Sequence, residues 1–310
     1  MHFKVGSRAS LLALKQTNFV IDELNKVYPN FTFEIVNITS TGDKNQNASI
    51  SGIGVEGVFV KELEEALVKH DVDFVVHSLK DMPTLIDDKF ELVSVLNRID
   101  KRDVLVSPSH TSFNDLKPGS IIGTASIRRT CQLKALRTDL TYKSIRGNLP
   151  TRLKKLEEGY CDALIIAAAG LERLNLTNKI TQYFEFELLT PPAGQGALAV
   201  ECLANNFEVK AFLKSIDNEL ARAQIISERV LLAKLGGGCS YPIGAVSWID
   251  HEQKLHLLGC VASLDGNSIL RHAASLEINQ ARELGNIVAI KLIEAGALKL
   301  LGRGLNSISN

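Results

Sequence analysis

The sequence predicts an α/β protein with a smaller α+β domain at its carboxyl end. In the first two thirds of the chain, short apolar runs rich in β-branched residues alternate with segments of helical periodicity. This alternation is typical of α/β layers with mostly parallel strands. From residue 255 the pattern changes to two adjacent strand-like runs and one long helix. Because 310 residues are many for a single core, we expect two or three domains.

The chain opens with a predicted β-α-β unit. Residues 3–6 form a short strand, Ser10 is a suitable N-cap, and apolar residues at helical spacing continue over residues 11–27. A second strand covers residues 31–38. The polar, glycine-containing segment 40–57 predicts a surface loop.

Strands and helices keep alternating through the centre of the chain. Further strands are predicted over residues 72–76, 91–95, 103–106, 121–123, 141–145 and 163–167, and helices over residues 58–70, 127–136 and 149–158. A long helical stretch over residues 218–235 leads into the final part, where strands 255–264 and 268–276 are joined by Asp265-Gly266-Asn267. That turn favours a hairpin, and a last helix over residues 280–295 ends at Gly296.

Composition excludes several classes of protein. Thirty-five Lys and Arg residues balance 35 Asp and Glu residues, so no net charge attracts nucleic acid or an anionic membrane. The sequence has no secretory signal and no apolar run that could span a bilayer. Its five cysteines are odd in number, far apart and form no C-x-x-C pair, so neither a disulfide framework nor a zinc site is indicated. We expect a cytoplasmic protein.

Cys239 lies on an unusual loop, between three consecutive glycines and Pro242. Glycines allow the backbone to turn tightly and to approach a bound molecule closely, and proline stiffens the exit. A thiol that must attack a molecule, or stay bonded to it, needs such access and direction. The alternative is a glycine-rich turn that happens to contain a cysteine.

Basic residues are concentrated between residues 121 and 175, a segment with ten basic and only five acidic residues. Four arginines lie where predicted strands give way to loops or helices: Arg128, Arg129, Arg146 and Arg152. Ligands of open α/β sheets bind beyond the carboxyl ends of strands, and arginine holds carboxylate or phosphate through paired hydrogen bonds. This pattern predicts a polyanionic ligand, with solvated surface charge as the alternative for any one arginine.

Two further motifs suggest a site. His77-Ser78-Leu79-Lys80-Asp81-Met82-Pro83 follows an apolar strand, so Asp81 is either half of a salt bridge or a carboxylate that stabilises a cation or relays a proton. His77 suits a buried, hydrogen-bonded histidine equally well. Prolines and glycines around Gln195 have the composition of a crossover between domains.

Taken together, these motifs resemble the porphobilinogen deaminase, or hydroxymethylbilane synthase, family. The resemblance covers residues 6–10, 59–64, 77–83, 123–129, 146–153, 168–173 and 194–197 and the Cys239 loop. It implies a monomeric transferase of haem and tetrapyrrole biosynthesis that joins four porphobilinogen molecules head to tail, releases ammonia at each step and yields hydroxymethylbilane. The rivals are a non-catalytic two-lobed binding or sensing protein for a polycarboxylate ligand and a cysteine-dependent hydrolase or transferase.

The resemblance also implies a dipyrromethane cofactor, attached covalently through a thioether at Cys239. Asp81 would face the pyrrole nitrogens and stabilise the cation left when ammonia departs. Each pyrrole carries an acetate and a propionate, which the basic residues would bind. The implied cofactor-binding residues are Ser78, Lys80, Asp81, Thr124, Ser126, Arg128, Arg129, Arg146 and Gly147. The implied substrate-binding residues are Arg8, Ser10, Arg146, Arg152, Arg173 and Gln195.

The family fold implied for this chain has two α/β lobes similar to periplasmic binding proteins and a third, smaller α+β domain. Residues 1–98 with 194–216 would form the first domain, residues 99–193 the second and residues 217–310 the third, which carries Cys239. The chain departs from the usual pattern at Glu56, where lysine is common, at Leu203, where arginine is frequent, and at Ala125, where serine is usual. The change at Glu56 puts contacts from that loop to substrate carboxylates in doubt.

Overall fold

The computed structural model describes residues 1–39, 60–238 and 240–302, so the predicted loop over residues 40–57 lies outside the described residues. The strands are β1 His2–Arg8, β2 Thr32–Ile38, β3 Phe74–Ser78, β4 Phe90–Val95, β5 Asp103–Val106, β6 Ile121–Gly123, β7 Thr141–Lys143, β8 Ala163–Ala167, β9 Gln182–Tyr183, β10 Leu198–Leu203, β11 Ile243–Ile249, β12 Lys254–Ala262 and β13 Ile269–Glu277. The helices are α1 Leu11–Val27, α2 Lys61–Val68, α3 Ile127–Lys134, α4 Leu149–Glu157, α5 Ala168–Arg173, α6 Phe207–Leu213, α7 Glu219–Lys234, α8 Ala281–Glu294 and α9 Ala297–Leu300.

Two five-stranded sheets share one topology. Their strand orders are β2-β1-β3-β10-β4 and β7-β6-β8-β5-β9. In each sheet the first three strands pair in parallel, and the fourth runs antiparallel to both neighbours. That fourth strand, β10 or β5, directly follows a chain segment that belongs to the other sheet. The chain therefore passes twice from one α/β lobe to the other, and the predicted fold class is confirmed.

A third sheet, of order β11-β12-β13, is antiparallel throughout and packs against α8. The predicted hairpin is present: Ser263 and Ser268 face each other across the turn, and Gly266 adopts a φ of 79°. This is the smaller α+β part.

Across the part of the chain that the structure describes, no helix combines the length and apolarity needed to cross a membrane.

Two compact units emerge from the packing. The first comprises residues 1–99 and 196–222, and the second comprises residues 100–195 and 223–310. The first unit therefore contains the sheet with β1 and β10, and the second contains the other two sheets. The three-domain division with boundaries at residues 98, 193 and 216 stays a prediction.

Local sequence explains most element boundaries. The Ser10 hydroxyl accepts a hydrogen bond from the Ala13 amide and caps α1, as predicted. The helix predicted over residues 58–70 ends earlier, at Val68, because His70 adopts a φ of 57° that a helix cannot continue. The strand predicted at residues 72–76 is shifted to Phe74–Ser78, since Val72 packs against α2 instead of joining the ladder. Strands β9, β10 and β11 were not predicted.

Candidate functional site

In the first unit, the predicted site residues lie along one edge of the sheet, where the carboxyl ends of its parallel strands meet. Strands β1 and β3 pair in parallel, with Gly6 opposite Val75, so Arg8 and Ser78 both lie at strand carboxyl ends. The Ser78 hydroxyl donates to the Gln16 side chain at 3.1 Å, which ties this edge to α1. Ser10 caps the same helix. The structure thus places Arg8, Ser10 and Ser78 at the same edge.

Lys80 and Asp81 follow on a 3₁₀ turn, Leu79–Asp81. Leu79 is buried, and its amide donates to the Ala197 carbonyl at 3.1 Å, which anchors the turn to β10. Both charged side chains are half-buried. Among the described residues, no donor or cation contacts the Asp81 carboxylate. A carboxylate held on a fixed turn and partly withdrawn from water is suited to stabilising a positive charge.

His77 has a structural partner. Its Nε2 atom lies 3.0 Å from Glu201 Oε2 of β10, and both side chains are buried. The histidine is therefore held by a residue of the neighbouring strand, β10. His77 is thus the buried, hydrogen-bonded histidine that the sequence allowed.

In the second unit, three parallel strands end at the same edge of the sheet, and loops follow two of them, β6 and β7. Strand β6 pairs in parallel with β7 and β8, with Gly123 opposite Lys143 and Leu164. Thr124 and Ser126 follow β6, and the Ser126 hydroxyl caps α3 by accepting from the Arg129 amide. Thr124 is buried, and its hydroxyl accepts from the Ser126 amide at 3.2 Å. Thr124 and Ser126 therefore lie at the carboxyl end of β6, and anion binding there stays a prediction.

The loop after β7 carries the next group. Gly147 adopts a φ of 111°, which a side chain would strain, and a Cβ there would lie 2.8 Å from Thr151 Cγ2. Arg152 donates from Nε to the Gly147 carbonyl at 2.8 Å, so this arginine braces the loop. Asn148 caps α4 through the Thr151 amide. Arg146 precedes the glycine and is half-buried.

Arg128 and Arg129 point inward. Asp103, the first residue of β5, is fully buried and accepts from Arg128 Nη2 at 2.7 Å and from Arg129 Nη2 at 2.6 Å. Burial by itself raises the pKa of this carboxyl, but the two guanidinium groups lower it by more. The pKa of Asp103 therefore lies well below its ordinary value. Arg128 and Arg129 are 4% and 7% exposed. Their predicted contact with the cofactor stays a prediction.

Gln195 joins the same cluster. Its Nε2 atom donates to Asp103 Oδ1 at 2.9 Å and to the Lys101 carbonyl at 2.8 Å, and its side chain is fully buried.

Arg173 lies at the end of α5, outside this cluster. Burial lowers the pKa of its guanidinium to about 10. The substrate contacts predicted for Gln195 and Arg173 stay predictions.

Cys239 lies outside the described residues, but the glycines before it are described. Helix α7 ends in a Schellman motif, in which the Gly236 amide donates to the Ala233 carbonyl and the Gly237 amide donates to the Leu232 carbonyl. Gly236 adopts a φ of 63°. A Cβ on Gly237 would lie 2.3 Å from Ile243 Cδ1. Gly236 is therefore needed for the left-handed turn that ends the helix, and Gly237 leaves room for the Ile243 side chain, whatever the ligand.

Comparison with known proteins decides the family. A family model described as the dipyrromethane cofactor-binding domain of porphobilinogen deaminase matches residues 3–211, and a model of the C-terminal domain matches residues 222–294. The chain belongs to the porphobilinogen deaminase family. The porphobilinogen deaminase of Brevibacillus brevis is 42% identical over 98% of this chain and 97% of that protein, and the enzyme of Bacillus subtilis is 39% identical over 97% and 95%. The solved methionine-binding protein MetQ is similar to 69% of this chain, over 89% of its own length, at 13% identity and a TM-score of 0.45.

As a porphobilinogen deaminase, the chain is a transferase that polymerises four porphobilinogen molecules to hydroxymethylbilane on a dipyrromethane primer. The described residues of the second unit fit such a polycarboxylate. Two arginines share one carboxylate, so their cluster carries one excess positive charge. In addition, Arg129 Nε is a buried donor without a partner among the described residues. A carboxylate ligand matches both features.

Several residues that shape the site were not found from sequence. Asp103 and Gln16 bind site residues directly from distant parts of the chain. Gln132 acts indirectly: it exchanges two hydrogen bonds with the backbone of Thr190, whose carbonyl also accepts from Arg128. The available indication for Asp103 was a single carboxylate at the start of the apolar strand Asp103–Val106, in a chain with a pair of adjacent arginines. Such an acid is expected to be buried only with a partner.

Proposed function

We propose that this porphobilinogen deaminase uses Asp81 as its catalytic carboxylate. The supporting observation is the position of Asp81 on the anchored turn at the end of β3, with its carboxylate uncontacted among the described residues. Loss of ammonia from the substrate leaves a cationic pyrrole. A fixed carboxylate in a partly desolvated position stabilises that cation and can hold the proton that is transferred. Lys80, next to it, supplies a positive charge for a substrate carboxylate.

Each unit carries its own set of residues with a proposed role. In the first unit, Arg8 and Ser10 bind and orient the substrate, and Ser78 binds the cofactor, at the edge of the sheet where Asp81 lies. In the second unit, Arg146, Arg152 and Arg173 bind carboxylates of the substrate and the growing chain, and Thr124, Ser126 and Gly147 supply hydroxyl and backbone donors. Arg128, Arg129 and Arg146 hold the cofactor carboxylates, and Gln195 acts beside them. Arginine suits this task because it stays charged when desolvated.

Cys239 is the proposed attachment point. A thiolate is a soft nucleophile, and a thioether bond survives repeated turnover, which suits an anchor for a primer. When bound, the dipyrromethane supplies the terminal pyrrole carbon to which the first substrate is joined. The residues of the chain bind, orient and move protons around it.

We further propose that the enzyme is a cytoplasmic monomer with the three domains expected from the sequence. The absence of C-x-x-C spacing among five cysteines supports a reducing compartment. All four described cysteines are buried thiols without disulfide partners. The non-catalytic alternative, a two-lobed binding protein, is not favoured, because the relatives are porphobilinogen deaminases over their full length.

The test is the variant Asp81→Asn, which removes the charge and keeps the shape. We expect hydroxymethylbilane formation to fall by about 10²-fold or more. The intact mass should still exceed that of the bare polypeptide, because the primer stays attached. Asp88→Asn, an exposed acid on the same loop, is the matched control and should leave the rate unchanged.

Two results would count against these roles. Near-normal turnover of Asp81→Asn would remove Asp81 from the mechanism. A Cys239→Ala variant that still carries the extra mass after expression in a porphobilinogen-making host would move the attachment to another residue.

A further inference from the structure

The cluster around Asp103 connects four separate parts of the second unit. Asp103 begins β5, the arginines come from α3, the Ile165 carbonyl belongs to β8, and Thr190 precedes the return crossing. Arg129 Nη1 donates to Ile165 O at 3.0 Å, and Arg128 Nη1 donates to Thr190 O at 2.7 Å. Each guanidinium is thus held at two points, by Asp103 and by one carbonyl. Neither side chain can rotate without breaking a buried hydrogen bond.

Asp103 is the acid on which this arrangement depends. Among the described residues, no other carboxylate contacts either guanidinium group. Two guanidinium groups side by side repel each other, and both are nearly excluded from water. A single shared carboxylate offsets the repulsion and leaves one positive charge over. A second carboxylate in the cluster would neutralise it and remove its attraction for an anion.

We propose that Asp103 is a positioning residue for cofactor assembly: it holds Arg128 and Arg129 in one orientation with one unneutralised charge, ready for a carboxylate of the dipyrromethane. This proposal rests on the proposed cofactor-binding role of the two arginines. The Arg129 Nε donor, buried and without a partner among the described residues, is the part of the cluster left for that carboxylate. Asp103 itself is fully occupied by the two arginines and Gln195 and does not touch the ligand.

The variant Asp103→Asn tests the proposal most directly. An asparagine side chain presents one oxygen and one NH₂ group, so one arginine would face a donor where it now faces an acceptor. We expect the apoprotein to need about tenfold more porphobilinogen for half-maximal attachment of the primer, measured as the mass-shifted fraction by intact-mass spectrometry. This readout does not depend on turnover by the loaded enzyme.

Asp100→Asn is the matched control. Asp100 also pairs with an arginine, Arg102, at 2.7 Å, but outside the cluster and nearer the surface. Its loss should leave the half-loading concentration unchanged. A purely structural role for Asp103 predicts a lower melting temperature at an unchanged half-loading concentration, and that result would overturn the proposal.

Asp103→Glu covers the possibility that the asparagine variant does not fold. It keeps the charge but displaces the carboxylate by one methylene, so half-loading should fall between the wild-type and asparagine values. Normal loading in either folded variant, or failure of both to fold, would assign Asp103 to stability alone and overturn the proposal. A wild-type protein that gains no mass from porphobilinogen would instead refute the proposed attachment, so the two failures are distinguishable.

Discussion

Glu64 lies on α2, close to the buried pair of His77 and Glu201. Burial raises the pKa of the Glu64 carboxyl, the charge of Glu201 raises it further, and His77 opposes the shift. A carboxyl with a raised pKa binds its proton more tightly in the folded protein. Its contribution to stability is therefore complete below the unfolded-state pKa and is lost as the pH rises through the folded-state pKa.

Replacement of Glu64 by glutamine should therefore stabilise the protein at neutral pH. Because the side chain is only half-buried, the gain should stay below about 1 kcal/mol. The melting temperature of Glu64→Gln should exceed that of the wild type at pH 7, and the difference should shrink toward pH 4. Glu65→Gln, an exposed neighbour, is the control. A lower melting temperature at pH 7 would contradict the expected sign.

At the level of single residues, the sequence showed which charged side chains were unusual but not which groups they contact. The sequence singled out the two adjacent arginines that follow Gly-Thr-Ala-Ser-Ile, but it did not reveal that their side chains turn toward Asp103, 25 and 26 residues away. The polar contacts of Gln195 likewise lead to Asp103. A buried charge must find its partner in three dimensions, and sequence spacing does not reveal which acid that is.

Helices α7 and α8 pack closely at a single glycine. A Cβ on Gly285 of α8 would lie 2.5 Å from the Ser227 carbonyl oxygen of α7 and 2.8 Å from Val230 Cβ. At a solvent-exposed position inside a helix, replacement of glycine by alanine raises the free energy of unfolding by about 1 kcal/mol. Here the new methyl group meets backbone, so the sign should reverse.

We expect Gly285→Ala to lower the free energy of unfolding by about 1–3 kcal/mol. Urea denaturation followed by tryptophan fluorescence measures this directly, because Trp248 of β11 is the only tryptophan and reports on the third sheet. Glu283→Ala, on an exposed position of the same helix, should change the value by less than about 0.5 kcal/mol. A stabilised Gly285→Ala protein would show that the two helices separate at little cost.

Elements with local signals were predicted well, and elements without them were missed. Helix α1 has a serine cap and amphipathic spacing, and the helix begins and ends where these signals indicate. Strand β10 is almost entirely buried and follows a proline- and glycine-rich segment, so it has no alternation to identify it. Its place between β3 and β4 comes from pairing with residues more than 100 positions away.

At the scale of the whole molecule, the first unit is discontinuous in sequence. Its sheet needs β10, because without that strand β4 has no neighbour. The two chain crossings lie next to each other, since the Ile99 amide donates to the Gly196 carbonyl at 3.4 Å. The unit could therefore be closed by a very short connection.

A fragment of residues 1–99 should accordingly fail to unfold cooperatively. The same fragment joined through about four glycine and serine residues to residues 196–222 should show a single cooperative transition. Urea titration followed by circular dichroism distinguishes the two. Equal behaviour of both fragments would mean that the four remaining strands and helices fold without β10.

By itself, the sequence determined the α/β class, the tail hairpin and the family, since each rests on local periodicity, turn chemistry or motifs in a fixed order. Tertiary structure alone decided that His77 pairs with Glu201 and that Arg128 and Arg129 share Asp103. It also decided that Gly236 and Gly237 serve the end of α7. The physical reason is that buried polar groups must be satisfied by whatever the fold brings near, and those partners are distant in sequence.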